Sequence, residues 1–389
     1  MHLTSPTQVT FRGQTGSQLL FRGARDETLQ VSVLADDLIR VQHLPEGTPR
    51  LDRTWMVVGK EGDVPREGRR RADLSPFPCP PFGLVKKDRQ LALRTARLAL
   101  TISLDDFRLS WCDANARKFA ADVPRRAYAY DAAGRAVYHY LERRPAEHYY
   151  GFGERAGALD KRGRRMRMLN MDALGYDAAT SDPLYKHFPF YITFESDLQI
   201  AYGVFYDNLA TCVFDLGQEI DAYHGPYRYY QADDGDIDYY FIYGPSIPEV
   251  VEKFSALTGR MQLPPRWSLG YLASTMAYTD APDAQAQLAR FVELCRAYEI
   301  PCDLFHLSSG YSLGADGKRY VFTWNRQRVP DPKQMVETFH AAGIKVAANI
   351  KPCLLKTHPH YQEVADAGAF IRQEDGTPEV SAFWGGAGS

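Results

Sequence analysis

Three apolar runs in the second half of this 389-residue chain end in short polar groups: Ser274 and Thr275 in "WSLGYLAST", Ser308, Ser309 and Gly310 in "FHLSSGYS", and Asn349 and Lys351 in "IKVAANIKP". Hydroxyls and amides both donate and accept hydrogen bonds, and an ammonium donates three, so such a set suits a hydroxyl-rich ligand. Taken singly, each group could equally serve its own chain, Ser308 as the cap of the next turn and Gly310 as a bend. Agreement among three ends favours the ligand. Other reactive types are less well placed. His306 lies in mid-run and reads as a packed core residue; Asp303 begins its run and reads as structural. Cys302 and Cys353 have no activating partner nearby in sequence and read as packed thiols. The six cysteines are scattered without a C-x-x-C pair or a zinc-like histidine spacing, so they read as packed thiols and not as a zinc site. "GFGER" at 151–155 resembles part of a phosphate loop but lacks the third glycine and the strand-to-helix setting.

The elements that position these groups change character near residue 245. Before it, alternating segments such as "LQVSVLADDLIRVQHL" and "LALRTARLALTISL" put apolar residues on one face and polar ones on the other, between Gly, Pro and Asp clusters. "YAYDAAGRAVYHY" reads as a hairpin whose Gly134 can take a left-handed turn. "SPFPCPPF" at 75–82 reads as a loop. Many short strands at this spacing imply an antiparallel sandwich. "SIPEVVEKFSALTG" then shows a serine before Pro248, apolar Val250, Val251, Phe254 and Leu257, and a closing Gly259, a capped helix at the junction. Beyond it, "WSLGYLAST" predicts a buried strand, and "DAQAQLARFVELCRAYEI" a helix with Leu288, Phe291, Val292, Cys295 and Tyr298 on one stripe. "CDLFHLSS" is a second strand, "PDPKQMVETFHAAG" a helix from Asp331 and Pro332 to Gly343, and "IKVAANIKP" a third strand. Alternation of this kind means parallel βαβ units. In such architectures ligands meet the carboxyl ends of the strands, where the polar tips stand.

Composition excludes several function classes. A net charge of −2 offers no basic field for nucleic acid and no polybasic strip for a membrane surface. No run approaches the roughly 18 apolar residues of a membrane-crossing helix, and "MHLTSPTQVTFRG" lacks a charged region followed by an apolar stretch, which points to a cytoplasmic protein. Aromatic residues reach 13%, enough either to fill large sandwich cores or to make sugar-stacking surfaces, and core filling is the simpler reading.

The order of motifs carries a resemblance. "YYGFGERAGALDKRG", "MLNMDALGYD", "DPLYKHFPFYITF", "DYYFIYGPSIPEVVEKFSALTGR", "LPPRWSLGY", "IPCDLFHLSSGY" and "GIKVAANIKP" resemble, in unbroken order over roughly residues 145–385, the signatures of glycoside hydrolase family 31, the α-glucosidase and α-xylosidase family. The resemblance implies a multidomain β plus α/β fold. Residues 1–245 would form a galactose mutarotase-like β-sandwich, 246–265 a linking helix and junction, and 266–389 the first three strands of a (β/α)8 barrel. It implies a retaining enzyme acting on terminal α-linked glycosyl residues of an oligosaccharide or glycoside and needing no metal or organic cofactor; an assembly of like subunits stays open, and the charge balance above already argues against a nucleic-acid or membrane partner. Asp172 falls where the family places an aspartate on a sandwich loop that hydrogen-bonds sugar hydroxyls; the alternative is an Asp capping its own turn before Gly175. Ser308, Ser309, Asn349 and Lys351 would line the sugar seat, and Trp384 falls where relatives often carry a tryptophan near it.

Two departures from the family pattern stand out. Many relatives carry an aspartate at the position of Ser308, so a charge-assisted contact becomes a neutral one here. Retaining glycosidases also need two carboxyl groups roughly 5 Å apart. In the family these arise from later barrel strands, so no catalytic residue is expected in this chain, which reads as the N-terminal portion of a longer enzyme. Asp316, Asp331 and Asp375 read as loop, cap and turn residues. A noncatalytic carbohydrate-binding protein is the alternative from another class. A transglycosylase or α-glucan lyase is the alternative within the family.

Overall fold

The computed structural model describes residues 3–383 and 385–389, and the chain divides into two compact units, residues 1–261 and 262–389. In the first unit an eight-stranded antiparallel sheet faces a five-stranded and a six-stranded sheet across one core. Its central strands include Thr28–Ala35, Leu38–Leu44, Ile200–Tyr206 and Ile237–Tyr243. Aromatic rings do fill this core: Trp111 stacks flat on Phe241 with centroids 3.8 Å apart, and Tyr206 on Tyr230 at 3.9 Å. The expected hairpin joins Tyr128–Asp131 to Val137–Glu142 with Tyr130 opposite Val137. Its turn is closed by Asp131, whose Oδ1 accepts from the Ala133 N–H at 3.1 Å, and Gly134 is not left-handed. Residues 75–82 are turn and coil, as expected.

The strand Gln90–Arg94 alternates as expected, with Leu91 and Leu93 buried and Gln90, Ala92 and Arg94 exposed, but Thr28–Ala35 and Leu38–Leu44 depart from expectation in that their polar face is also buried. Val31, Val33, Ile39 and Val41 enter the sandwich core, while Leu34 and Leu38 join a second cluster under the segment around Val57 and Phe77 and under the helix Ile247–Thr258. Arg40 and Asp238 lie on this second face, joined by bonds of 2.8 and 2.6 Å. Arg71, arriving from the covering segment, binds Asp207 and Asp238 at 2.6 and 2.7 Å. Burial opposes ionisation of Asp238, yet the two guanidiniums outweigh it and hold its carboxyl below the usual carboxylate range. Such a network is stable only when every member is paired.

The helix Ile247–Thr258 is capped as its sequence requires. Ser246 accepts from the Glu249 N–H, and Gly259 ends it with φ +94°. Val250 and Leu257 are buried and Phe254 stacks on Phe190 at 3.7 Å, whereas Val251 faces outward. Its buried side chains pack against the sandwich.

In the second unit three parallel strands, Leu272–Thr275, Leu304–Leu307 and Lys345–Ala348, lie side by side in chain order. Helices Ala284–Ala297 and Pro332–His340 cover one face. The first strand is shorter and less buried than expected. A 3₁₀ turn over Arg266–Leu269, started by Pro265, takes up its first half, and of its residues only Ala273 is buried. Tyr298 leaves the predicted stripe because it sits beyond the end of its helix, where it is exposed. Asp331 caps the next helix by accepting from the Gln334 N–H at 3.0 Å, and Gly343 beyond it has φ +78°.

Candidate functional site

Register decides what the strand ends present. Ala273, Phe305, Leu307 and Val346 point toward the helices, so Ser274 and His306, paired across neighbouring strands, belong to the opposite face. His306 is exposed there, not packed in the core, because the period of two turns it away from the helices.

At the carboxyl ends the first two strands meet through their hydroxyls: Ser274 Oγ and Ser308 Oγ lie 3.3 Å apart. Ser308 precedes a 3₁₀ turn over Ser309–Ser312 but makes no side-chain cap to it. Its hydroxyl is committed across the sheet. Gly310 is required by close approach, since a Cβ there would come within 2.4 Å of the Thr279 carbonyl oxygen and 2.2 Å of Asp280 Oδ1. Ser309 opens the turn, and its carbonyl accepts from Ser312 Oγ at 3.0 Å. Asn349 follows the third strand directly. Its N–H donates to the Leu307 carbonyl at 3.0 Å and its carbonyl accepts from Tyr311 at 2.8 Å, which fixes it beside Ser308. Lys351 is exposed two residues on. Ser274, Ser308 and Asn349 are thus neighbours, with Ser309 and Lys351 flanking them; Trp384 lies outside the described residues.

Several carboxylates of the second unit have local partners. Asp280 accepts from both terminal nitrogens of Arg319, at 2.9 and 3.1 Å. Asp316 accepts from Tyr320 at 2.7 Å and from the Lys318 N–H at 3.1 Å, which holds its carboxyl below the usual range. Asp375 is bonded to Thr377 in its own turn. Asp303 borders Gly270 so tightly that a Cβ there would meet its Oδ2 at 1.8 Å. Cys353 lines a cavity of about 430 Å³ together with Phe322, Leu354, His358 and Phe370, and the nitrogens of His358 are taken by the Val321 carbonyl and the His360 N–H. No group of three or more His, Cys, Asp or Glu side chains that could hold a metal occurs among the described residues.

In the first unit, Asp172 sits exposed in the segment between strands Arg165–Met168 and His187–Glu195. It does not cap its own turn. Oδ1 accepts from the Tyr185 hydroxyl at 2.7 Å, and the same bond raises the Tyr185 phenol above its ordinary pKa. Sequence reasoning missed Tyr185, although it lies within the "DPLYKHFPFYITF" motif; a bond spanning 13 residues of irregular chain leaves no periodic trace. "GFGER" proves to be a bulged strand end. Gly151 and Gly153 have φ +114° and +82°, and a Cβ on Gly153 would meet the Lys186 carbonyl oxygen at 2.5 Å. Arg155 braces the segment by binding the Arg167 carbonyl at 2.8 Å and Asp182 at 3.3 Å.

The class these features define is borne out by comparison with known proteins. Residues 28–215 match the glycosyl hydrolase 31 N-terminal galactose mutarotase-like domain, and residues 261–389 match the glycosyl hydrolases family 31 TIM-barrel domain. The chain belongs to glycoside hydrolase family 31. It is 30% identical over 361 residues to alpha-glucosidase 2 of Bacillus thermoamyloliquefaciens, covering 92% of this chain and 42% of that protein. An alpha-xylosidase of Lactiplantibacillus pentosus is 30% identical over 231 residues, 59% of this chain and 28% of that protein. A family 31 dextranase of Flavobacterium johnsoniae, solved with isomaltotriose, superposes with a TM-score of 0.83 at 21% identity, over 99% of this chain and 44% of that one. The fold is that of a mutarotase-like sheet domain followed by part of a TIM barrel. The chain spans less than half the length of the curated relatives it matches.

Proposed function

We propose that this chain is the N-terminal portion of a retaining α-glycosidase that hydrolyses terminal α-linked glucosyl or xylosyl residues. The observation that carries the reading is the row of Ser274, Ser308 and Asn349 at the carboxyl ends of a parallel sheet, in a chain whose two units match the two family 31 domains in order. Neutral hydroxyls paired at 3.3 Å can each exchange their mutual bond for one to a sugar hydroxyl, so binding leaves neither hydroxyl without a partner. In the same unit Lys351 offers a donor and Ser309 a further hydroxyl, and in the first unit Asp172 is the charged acceptor we assign to a sugar hydroxyl.

The chemistry needs a nucleophilic carboxylate and an acid/base carboxyl across the scissile bond. Asp280 and Asp316 are engaged by Arg319, Tyr320 and Lys318, so we place the catalytic pair on residues other than these. The residues named here bind and orient the sugar. Bond cleavage would pass through a glycosyl ester, and water would release the sugar with its anomeric configuration retained. The enzyme would act in the cytoplasm.

The full-length protein should release nitrophenol from nitrophenyl α-glucoside or α-xyloside, with the α-anomer appearing first by NMR. No release from the α-glucoside, α-xyloside or α-galactoside would overturn hydrolysis. Appearance of an unsaturated sugar product would replace it with lyase chemistry, and binding without turnover would replace it with a noncatalytic role.

A further inference from the structure

The loop that carries Asp172 has little regular structure, so something other than secondary structure must hold its carboxylate in place. Asp177 accepts from the Ala179 and Thr180 N–H groups and from Thr180 Oγ1, at 2.8 to 3.0 Å, forming a closed turn in the middle of the loop. The Ala178 carbonyl accepts from the Gly157 N–H at 3.2 Å, and Asp182 Oδ2 accepts from the Arg167 N–H at 2.7 Å. These bonds fix the second half of the loop. Asp172 lies in the first half, where the Tyr185 hydroxyl donates to its Oδ1 at 2.7 Å. Tyr185 is well suited to this, standing two residues before the nine-residue strand His187–Glu195. Its ring meets Tyr176 edge to face, with centroids 6.4 Å apart at 82°.

We infer that Tyr185 is the positioning residue of Asp172: its hydroxyl tethers Oδ1 to the strand, so that Oδ2 is the oxygen offered to a sugar hydroxyl. A tethered carboxylate would grip substrate through one oxygen rather than two, and would do so without the entropy loss of ordering a free side chain on binding. Tyr176 acts one step further out, by limiting the swing of the Tyr185 ring. The inference rests on the sugar-binding reading of Asp172.

The test is steady-state kinetics of the full-length protein on a nitrophenyl α-glycoside, with Tyr185→Phe and Asp172→Ala beside the wild type, together with NMR titration of the Tyr185 phenol. Removing only the hydroxyl should raise KM about three- to tenfold with kcat nearly unchanged, because the bond orders a group that binds substrate and transition state alike. Asp172→Ala should bring the Tyr185 phenol back down toward its ordinary value. Wild-type KM in Tyr185→Phe with a raised KM in Asp172→Ala would overturn the positioning role and leave the sugar contact standing. A phenol that titrates identically with and without Asp172 would overturn it independently of activity. Wild-type KM in both variants would sink the sugar-contact reading itself.

Discussion

The Ser274–Ser308 pair shows how much of a recognition surface one residue can decide. Each hydroxyl has one proton and two lone pairs, so the pair presents a donor and spare acceptors with no net charge. The family pattern places an aspartate where Ser308 stands, and a carboxylate there would make a bond to a sugar hydroxyl roughly twice as strong. Ser308→Asp in the full-length protein should therefore lower KM for a neutral α-glucoside by roughly three- to tenfold. Ser308→Ala should raise it slightly. An unchanged KM in both would show that this strand end does not touch the sugar. The polar tips were legible in sequence because each ends an apolar run. Which tips pair was not, since Ser274 and Ser308 are 34 positions apart with a whole helix between them. The cap alternative for Ser308 was decided only by the direction of its hydroxyl.

Elements were most legible where the end signals are local. The junction helix announced itself through Ser246, Pro248 and Gly259, and the second barrel helix through Asp331, Pro332 and Gly343. Their buried faces were less certain, because periodicity marks a stripe about 100° wide and not its centre. Val250 and Val251 are adjacent and equally apolar, yet only Val250 is buried and Val251 is exposed. Phe254, on the same helix, is the ring that matters. Its face-to-face stack on Phe190 ties the helix to the sheet, so Phe254→Ala should destabilise the sandwich unit by about 3 kcal/mol, measured by urea unfolding. Val251→Ala should change stability by less than about 0.5 kcal/mol. Equal effects would place the helix differently. Gly310 supplies a second element-scale prediction. A methyl there collides with the backbone of Thr279, which cannot yield as a side-chain tip would, so Gly310→Ala should cost about 2–4 kcal/mol and speed hydrogen exchange in the strand Leu304–Leu307. Unchanged exchange would mean that the turn relaxes freely.

At the scale of the whole molecule, strand order was beyond the reach of local patterns. The strand Leu38–Leu44 pairs with Ile237–Tyr243 across about 200 residues of chain, and the face that alternation suggested was wet is buried by the segment around Val57 and Phe77 and by the helix Ile247–Thr258. On the other side of this strand, toward the sandwich core with Ile39 and Val41, His43 has no exposure, and both its ring nitrogens are unpartnered among the described residues. Its ring packs near Tyr128 and Tyr130, at 6.1 and 5.6 Å. Burial, reinforced by the positive field of Arg50 and by His139, lowers its pKa to about 3. Unfolded, the same imidazole would titrate near 6.5. Below that value the unfolded chain binds a proton that the folded chain refuses, so the neutral ring's contribution is complete above pH 6.5 and drains away as pH falls toward 3. The loss over this window reaches up to about 4 kcal/mol. His43→Leu keeps an apolar side chain in the space and removes both the titration and two orphaned nitrogens. Urea midpoints of the variant should match or exceed those of the wild type at pH 7. They should also fall less steeply between pH 6.5 and 3.5, by up to one proton's worth of slope. Parallel curves would mean that His43 carries its charge in the folded state, and that the sandwich core around Tyr128 admits water.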